Sequence, residues 1–175
     1  EHAEAALPVA PEALSPIIRE HASMPEALRI VYANGLPVSI PEELPEGLSV
    51  MDMEDFVLQC PDTARKYMET ETETLGSEKL SALTTALQHN GLVIMADREI
   101  SPPLEILHFI SGDNVAVFPF TLLIAETGSR LHILERHLSA DHGRQFCGAL
   151  QQYHLSSASS VKYALVQELN SRSRA

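Results

Sequence analysis

From Leu92 to Leu169 the chain turns apolar in seven short bursts: LVIMA, LEILHFI, VAVF, FTLLIAE, LHILERH, FCGALQQYHL and VKYALVQEL. Turn residues separate them, such as Ser101-Pro102-Pro103, Ser111-Gly112-Asp113-Asn114 and Thr127-Gly128-Ser129. Each burst has the length of a strand, and no amphipathic helix of useful length intervenes. Several, FTLLIA above all, are apolar without alternation, which suits strands buried on both faces. The links are too short for helical crossovers, so parallel strands would have to coil as a solenoid. The pattern by itself leaves a β-helix, a jelly roll and a sandwich open.

Before Gly91 the texture is different. The first ~27 residues are rich in Ala, Pro and Glu, with a short helix expected around Glu12 to His21. LRIVYANGLPVSI predicts a hairpin over 28–40, its two apolar runs flanking Asn34-Gly35, the pair suited to a type I′ turn. Pro37 lacks an amide hydrogen, so the second strand belongs at an edge. PEELPEG, 41–47, reads as a loop. Met53, Phe56 and Val57 share a helical face, and Pro61 ends or kinks that helix. METETETL reads as an exposed connector. Ser77 can cap a further helix, with Leu80, Leu83 and Leu87 lining one face and Gly91 placed for a left-handed C-terminal cap. The chain thus divides into an α+β region over 1–90, with helices about 52–68 and 78–89, and a mainly-β region over 91–175.

A length of 175 residues allows one domain, or one domain and a small appendage. Trp is absent, so aliphatic side chains must fill the core. The net charge of -12 argues against nucleic acid and anionic membranes as partners, since both need a basic footprint. Glu42 to Glu78 holds eleven acidic residues against Arg65 and Lys66, which predicts a solvated surface. Cys60 and Cys147 form no CxxC pair, as expected of a reduced, cytoplasmic protein. No apolar run approaches the ~20 residues of a membrane span. The sequence starts at Glu1 without a signal-peptide pattern, which reads as a processed or trimmed piece.

The densest candidate chemistry is LHILERHLSADH, where His132, Glu135, His137 and His142 offer donors suited to zinc, iron or manganese. A metal-dependent, cupin-like jelly-roll enzyme would use such residues. The order HxxExH matches neither the cupin arrangement nor HExxH. Strand alternation also separates His132 from Glu135 and His137. The expectation is therefore that Ile133 and Leu134 pack, that Glu135, Arg136 and His137 sit at a rim or solvent face, and that no metal is held. His108 is expected to be a hydrogen-bonded structural residue and Cys147 a buried inert thiol. Asp141 and Glu135 could pair for acid–base work, but nothing specifies a substrate pocket. No GxSxG, phosphate-binding loop or dinucleotide fingerprint is present, and no catalytic, cofactor or metal residue is assigned.

The order of segments from Leu28 carries a resemblance. RIVYANGLPVSIPEELPEGLSV leads to acidic helices, then LSALTTALQHNGLVIMADREISPPLEILHFISG, FPFTLLIAETGSRLHILERHLS and FCGALQQYHLSSASSVKYALVQEL. This resembles the SufB/SufD family of iron–sulfur cluster assembly proteins, more closely SufD, over about four-fifths of the chain. One departure is Phe120 after Pro119, where relatives carry a basic or polar residue. The resemblance implies a right-handed parallel β-helix, of which 91–175 would be the first coils, a truncated solenoid. It implies a non-catalytic, SufD-like subunit of the scaffold complex, with a SufB-like paralogue and a SufC-like ABC-type ATPase as partners. A transient iron–sulfur cluster would belong to the full complex, with no cofactor in this chain. The ATPase surface and cluster-associated positions would lie beyond Ala175, so this piece should not capture the ATPase. An uncapped final coil carrying Val161, Tyr163, Leu165 and Leu169 would self-associate through its C-terminal end. A structural β-solenoid without a cluster role is the remaining alternative.

Overall fold

The computed structural model describes residues 16, 18–68, 77–88 and 90–175. Most of the helix expected over 12–21 lies outside these residues, as does the METETETL connector apart from Met68; a helical turn is present at 18–21. Strands β1 (Leu28–Ala33) and β2 (Leu36–Ser39) form an antiparallel hairpin. Its turn holds Asn34 at φ 50° and Gly35 at φ 81°, left-handed values that Asn and Gly tolerate best. β2, with Pro37, is the outermost strand of a five-stranded sheet. Between the loop expected over 41–47 and the helix expected from about 52, the chain forms β3 (Leu48–Asp52), which pairs antiparallel with β4 (Gly91–Ala96).

Two short helices follow. Asp52 caps α1 (Met53–Gln59) by accepting a hydrogen bond from the Asp55 amide, and Pro61 opens α2 (Pro61–Met68) after a break at Cys60. Phe56 is buried but Val57 is exposed, so the face expected to carry both is turned partly to solvent. Ser77 caps α3 (Glu78–Leu87), but its leucine stripe points outward: Leu80, Leu83 and Leu87 are 56%, 40% and 45% exposed. The buried residue of α3 is Thr84, whose hydroxyl donates to the Gly148 carbonyl at 2.8 Å. Gly91 is not a helix cap. It opens β4, where an added Cβ would lie 2.8 Å from the Phe120 ring. Close approach, rather than a left-handed backbone, is what requires glycine there.

The seven apolar bursts hold eight strands: β4, β5 (Leu104–Ile110), β6 (Val115–Val117), β7 (Phe120–Ala125), β8 (Arg130–Ser139), β9 (Gln145–Cys147), β10 (Leu150–Leu155) and β11 (Ser160–Glu168). FCGALQQYHL contains the end of β9 and all of β10, divided at Gly148. Successive strands enter different sheets, ordered β10-β7-β4-β3, β11-β8-β5-β1-β2 and β6-β9. Every pair among β4 to β11 is parallel. The chain returns to the same sheet after 29 residues (Gly91 opposite Phe120, Leu104 opposite Ile133) or 30 (Phe120 opposite Leu150, Val115 opposite Gln145). Constant return keeps like residues stacked, so apolar positions line up from strand to strand.

Burial on both faces explains the missing alternation. All six residues of β7 and all seven of β5 are buried. Between the sheets, Ile30, Leu92, Ile94, Leu104, Ile106, Leu123, Leu131 and Ile133 form the main core. On the outer face of β4 and β7, Phe56, Ala64 and Tyr67 of α1 and α2 cover Val93, Leu122 and Ile124. On the outer face of β1, β5 and β8, Ile18 and Val38 pack on Val31, Leu107, Phe109 and Leu138. Arg29 and Ser23 both bond the fully buried Glu105 carboxylate, tying 23–29 to β5. Among the described residues no helix is long and apolar enough to cross a membrane.

Candidate functional site

Strand β8 sends Leu131, Ile133, Glu135 and His137 to one face and Arg130, His132, Leu134, Arg136 and Leu138 to the other. His132 is exposed, as is His142 in the corner before β9, so the expected separation of His132 from Glu135 and His137 holds. The expected rim position does not. Glu135 and His137 are both 0% exposed, and Arg136 is buried on the outer face, where it bonds Glu168 and the His21 carbonyl. Glu135 and His137 are buried because β5 and β11 flank β8 and β9 packs at its end, Cys147 against His137 and Gln145 against Ser139.

The parallel register sets His108 of β5 directly opposite His137. Glu135 is the hub of the resulting cluster. Its Oε1 accepts from His137 Nε2 at 2.7 Å and from Gln151 Nε2 at 3.2 Å, and His108 Nε2 lies 3.5 Å away. Its Oε2 accepts from the Tyr163 hydroxyl, with Thr121 Oγ1 at 3.4 Å. His137 Nδ1 faces Cys147 Sγ at 3.4 Å. Strands β5, β7, β8, β9, β10 and β11 each contribute one or two of these groups. Cys147 is buried, as expected, but it has a polar neighbour. His108 departs from expectation: 4% exposed and stacked on Tyr32 at 5.2 Å, it has no hydrogen-bond partner at either ring nitrogen among the described residues. The 3.5 Å contact to Glu135 is not a hydrogen bond.

Burial and pairing pull these groups in opposite directions. Burial pushes the Glu135 carboxyl up, but the His137 hydrogen bond, the imidazole charges and Tyr163 outweigh it and hold it down at about 2. Burial pushes His137 down, and its bonds to Cys147 and Glu135 more than reverse this, to about 10. His108, dominated by burial, falls to about 4 and is neutral. At neutral pH the cluster is therefore a carboxylate–imidazolium pair beside a neutral imidazole. Burial raises the Tyr163 phenol further above its usual range, so it stays a donor.

Asp141 does not join Glu135. It accepts from Ser111 Oγ, the Gly112 and Gly143 amides and Gln145 Nε2, all within 2.8 Å, and so braces the corners before β6 and β9. Acid–base pairing with Glu135 is thereby ruled out for this arrangement. Cys60 is half-buried at the break between α1 and α2.

No family model matches the chain. Three curated proteins described as iron–sulfur cluster assembly SufBD family proteins, one from Mycobacterium bovis and two from strains of Mycobacterium tuberculosis, are each 31% identical to it over 97 residues. The matched stretch is 54% of this chain and only 11% of each relative's length. Over about half its length, then, the chain is similar to SufBD proteins of iron–sulfur cluster assembly, which supports a relationship with that family.

Proposed function

We propose that this chain is a SufD-like, non-catalytic part of an iron–sulfur cluster assembly scaffold, acting beside a SufB-like paralogue and an ABC-type ATPase. The similarity to SufBD proteins over 97 residues carries the reading. The fold is read as the first coils of a right-handed parallel β-helix, closed at its start by β1, β2 and β3. The regular return of 29 or 30 residues and the parallel register favour this over a jelly roll, whose strands are antiparallel. A stack of this kind is a rigid platform, and any iron–sulfur cluster would be transient cargo of the whole complex. The protein expressed from its own gene, together with SufB-like and SufC-like proteins of the same genome, is expected to co-purify with both. Residues 1–175 alone are expected to leave the ATPase unbound. Absence of the native protein from the complex, or equal ATPase capture by the isolated residues, would contradict the reading.

Within residues 1–175, β10 and β11 are the outer strands of their sheets; of the expected set, Val161, Tyr163 and Leu169 are partly buried against the core, and the exposed apolar residues are Leu165 with Tyr153, Leu155 and Val166, 39–56% exposed. Unpaired backbone and apolar side chains together make a template for another strand. Fully burying one such side chain contributes about 1.5–3 kcal/mol, so covering three or four outweighs modest association costs. Light scattering across a concentration series should show a dimer of residues 1–175 that Leu165→Lys disperses. A strict monomer, or a dimer indifferent to Leu165→Lys, would remove this surface from the account.

A further inference from the structure

The cluster around Glu135 leaves the His108 ring without a hydrogen-bond partner among the described residues. In the interior, where polar groups are almost always paired, both nitrogens of His108 are orphaned, although the ring is held by stacking on Tyr32. Its Nε2 points toward the one carboxylate oxygen that His137 Nε2 also approaches. His108, Glu135 and His137 each offer one donor atom, and the three lie within 4.8 Å of one another. From these observations we propose that His108 Nε2, Glu135 Oε1 and His137 Nε2 bind a first-row transition-metal dication of the zinc or ferrous type.

Donor type and spacing select that class. Two imidazoles and a carboxylate suit zinc or iron, whereas calcium and magnesium take oxygen shells. With metal–ligand bonds of about 2.0–2.2 Å at tetrahedral angles, neighbouring donors sit ~3.3 Å apart. The His108–Glu135 separation of 3.5 Å already fits, and the 2.7 Å His137–Glu135 contact must open by ~0.6 Å. On binding, His137 releases its Nε2 proton to solvent and presents the lone pair. The remaining contacts then orient the ligands as outer partners do in metal sites: Cys147 Sγ faces His137 Nδ1, and Tyr163 holds the second Glu135 oxygen. Cys147 lies on the far side of the imidazole ring from Nε2, so sulfur is not a ligand. The proposed site runs counter to the sequence expectation that no metal is held, and it differs from the set His132, Glu135, His137 and His142, since His132 and His142 are exposed elsewhere. It stands independently of the scaffold reading.

The test is zinc titration of the tag-free chain after chelation, read by elemental analysis of the desalted protein and by X-ray absorption at the zinc edge. One zinc per chain is expected, unchanged in His132→Ala and His142→Ala and lost in His108→Phe, which keeps an aromatic ring on Tyr32. The absorption spectrum should show nitrogen and oxygen neighbours with imidazole scattering and no sulfur shell at about 2.3 Å. Absence of stoichiometric zinc, retention in His108→Phe, loss in His132→Ala, or a sulfur ligand would each overturn the proposal. The spectrum of the unaltered chain decides the matter if His108→Phe does not fold.

Discussion

His137→Phe is expected to destabilise the metal-free chain by about 3–5 kcal/mol, the range for removing one member of a buried ion pair. The substitution strands the Glu135 carboxylate, which is wholly buried and has His137 as its charged hydrogen-bond partner. Glu135→Leu should cost less, because His137 can then shed its proton and remain bonded to Cys147 as a neutral ring. The double variant Glu135→Leu/His137→Phe should be more stable than His137→Phe alone, since the uncompensated charge is gone. Urea denaturation of all four chains gives the coupling directly. Additive losses would mean that the two residues act as independent packing units and that the pair is not charged.

The second large effect is on pH dependence. His137 has its folded-state pKa raised from 6.5 to about 10, so its stabilisation is complete below pH 6.5 and is lost as pH rises toward 10. Glu135 is lowered from 4.5 to about 2, so its contribution is complete above pH 4.5 and disappears as pH falls toward 2. His108 adds to the acid side. Its folded-state pKa falls from 6.5 to about 4, and the unfolded chain takes up that proton first as pH drops through this window. The thermal midpoint of the metal-free chain should therefore peak near neutrality and fall on both sides, with the alkaline limb flattened in His137→Phe. A limb of the same steepness in both chains would place the alkaline sensitivity elsewhere.

The elements legible in the sequence are those specified by neighbours in the chain. Asn34-Gly35 set the hairpin turn, Pro61 set the break between α1 and α2, and Ser77 set the start of α3. What failed depended on distant contacts. β3 has no strong signal of its own and exists because β4 offers it an edge. The Leu80, Leu83 and Leu87 stripe looks like a core face, yet α3 meets the sheets through Thr84. The site was half legible. Alternation put Glu135 and His137 on one face and His132 on the other, but their burial needed strands from both sides. A usable signal was present: His108 and His137 are separated by the same 29 residues as Leu104 and Ile133, within two apolar runs. Reading that interval as a stacking period would have brought the two imidazoles together.

The proposed participation in iron–sulfur cluster assembly is supported by similarity to SufBD proteins over part of the chain. Its most direct measurement is depletion of the protein in its own host, followed by assay of iron–sulfur enzymes against metal-free enzymes in the same extract. Iron–sulfur enzyme activities are expected to fall several-fold while their polypeptides persist, and re-expression of the intact protein should restore them. Undiminished iron–sulfur enzyme activity after complete depletion, under iron limitation or oxidative stress as well as in rich medium, would contradict it.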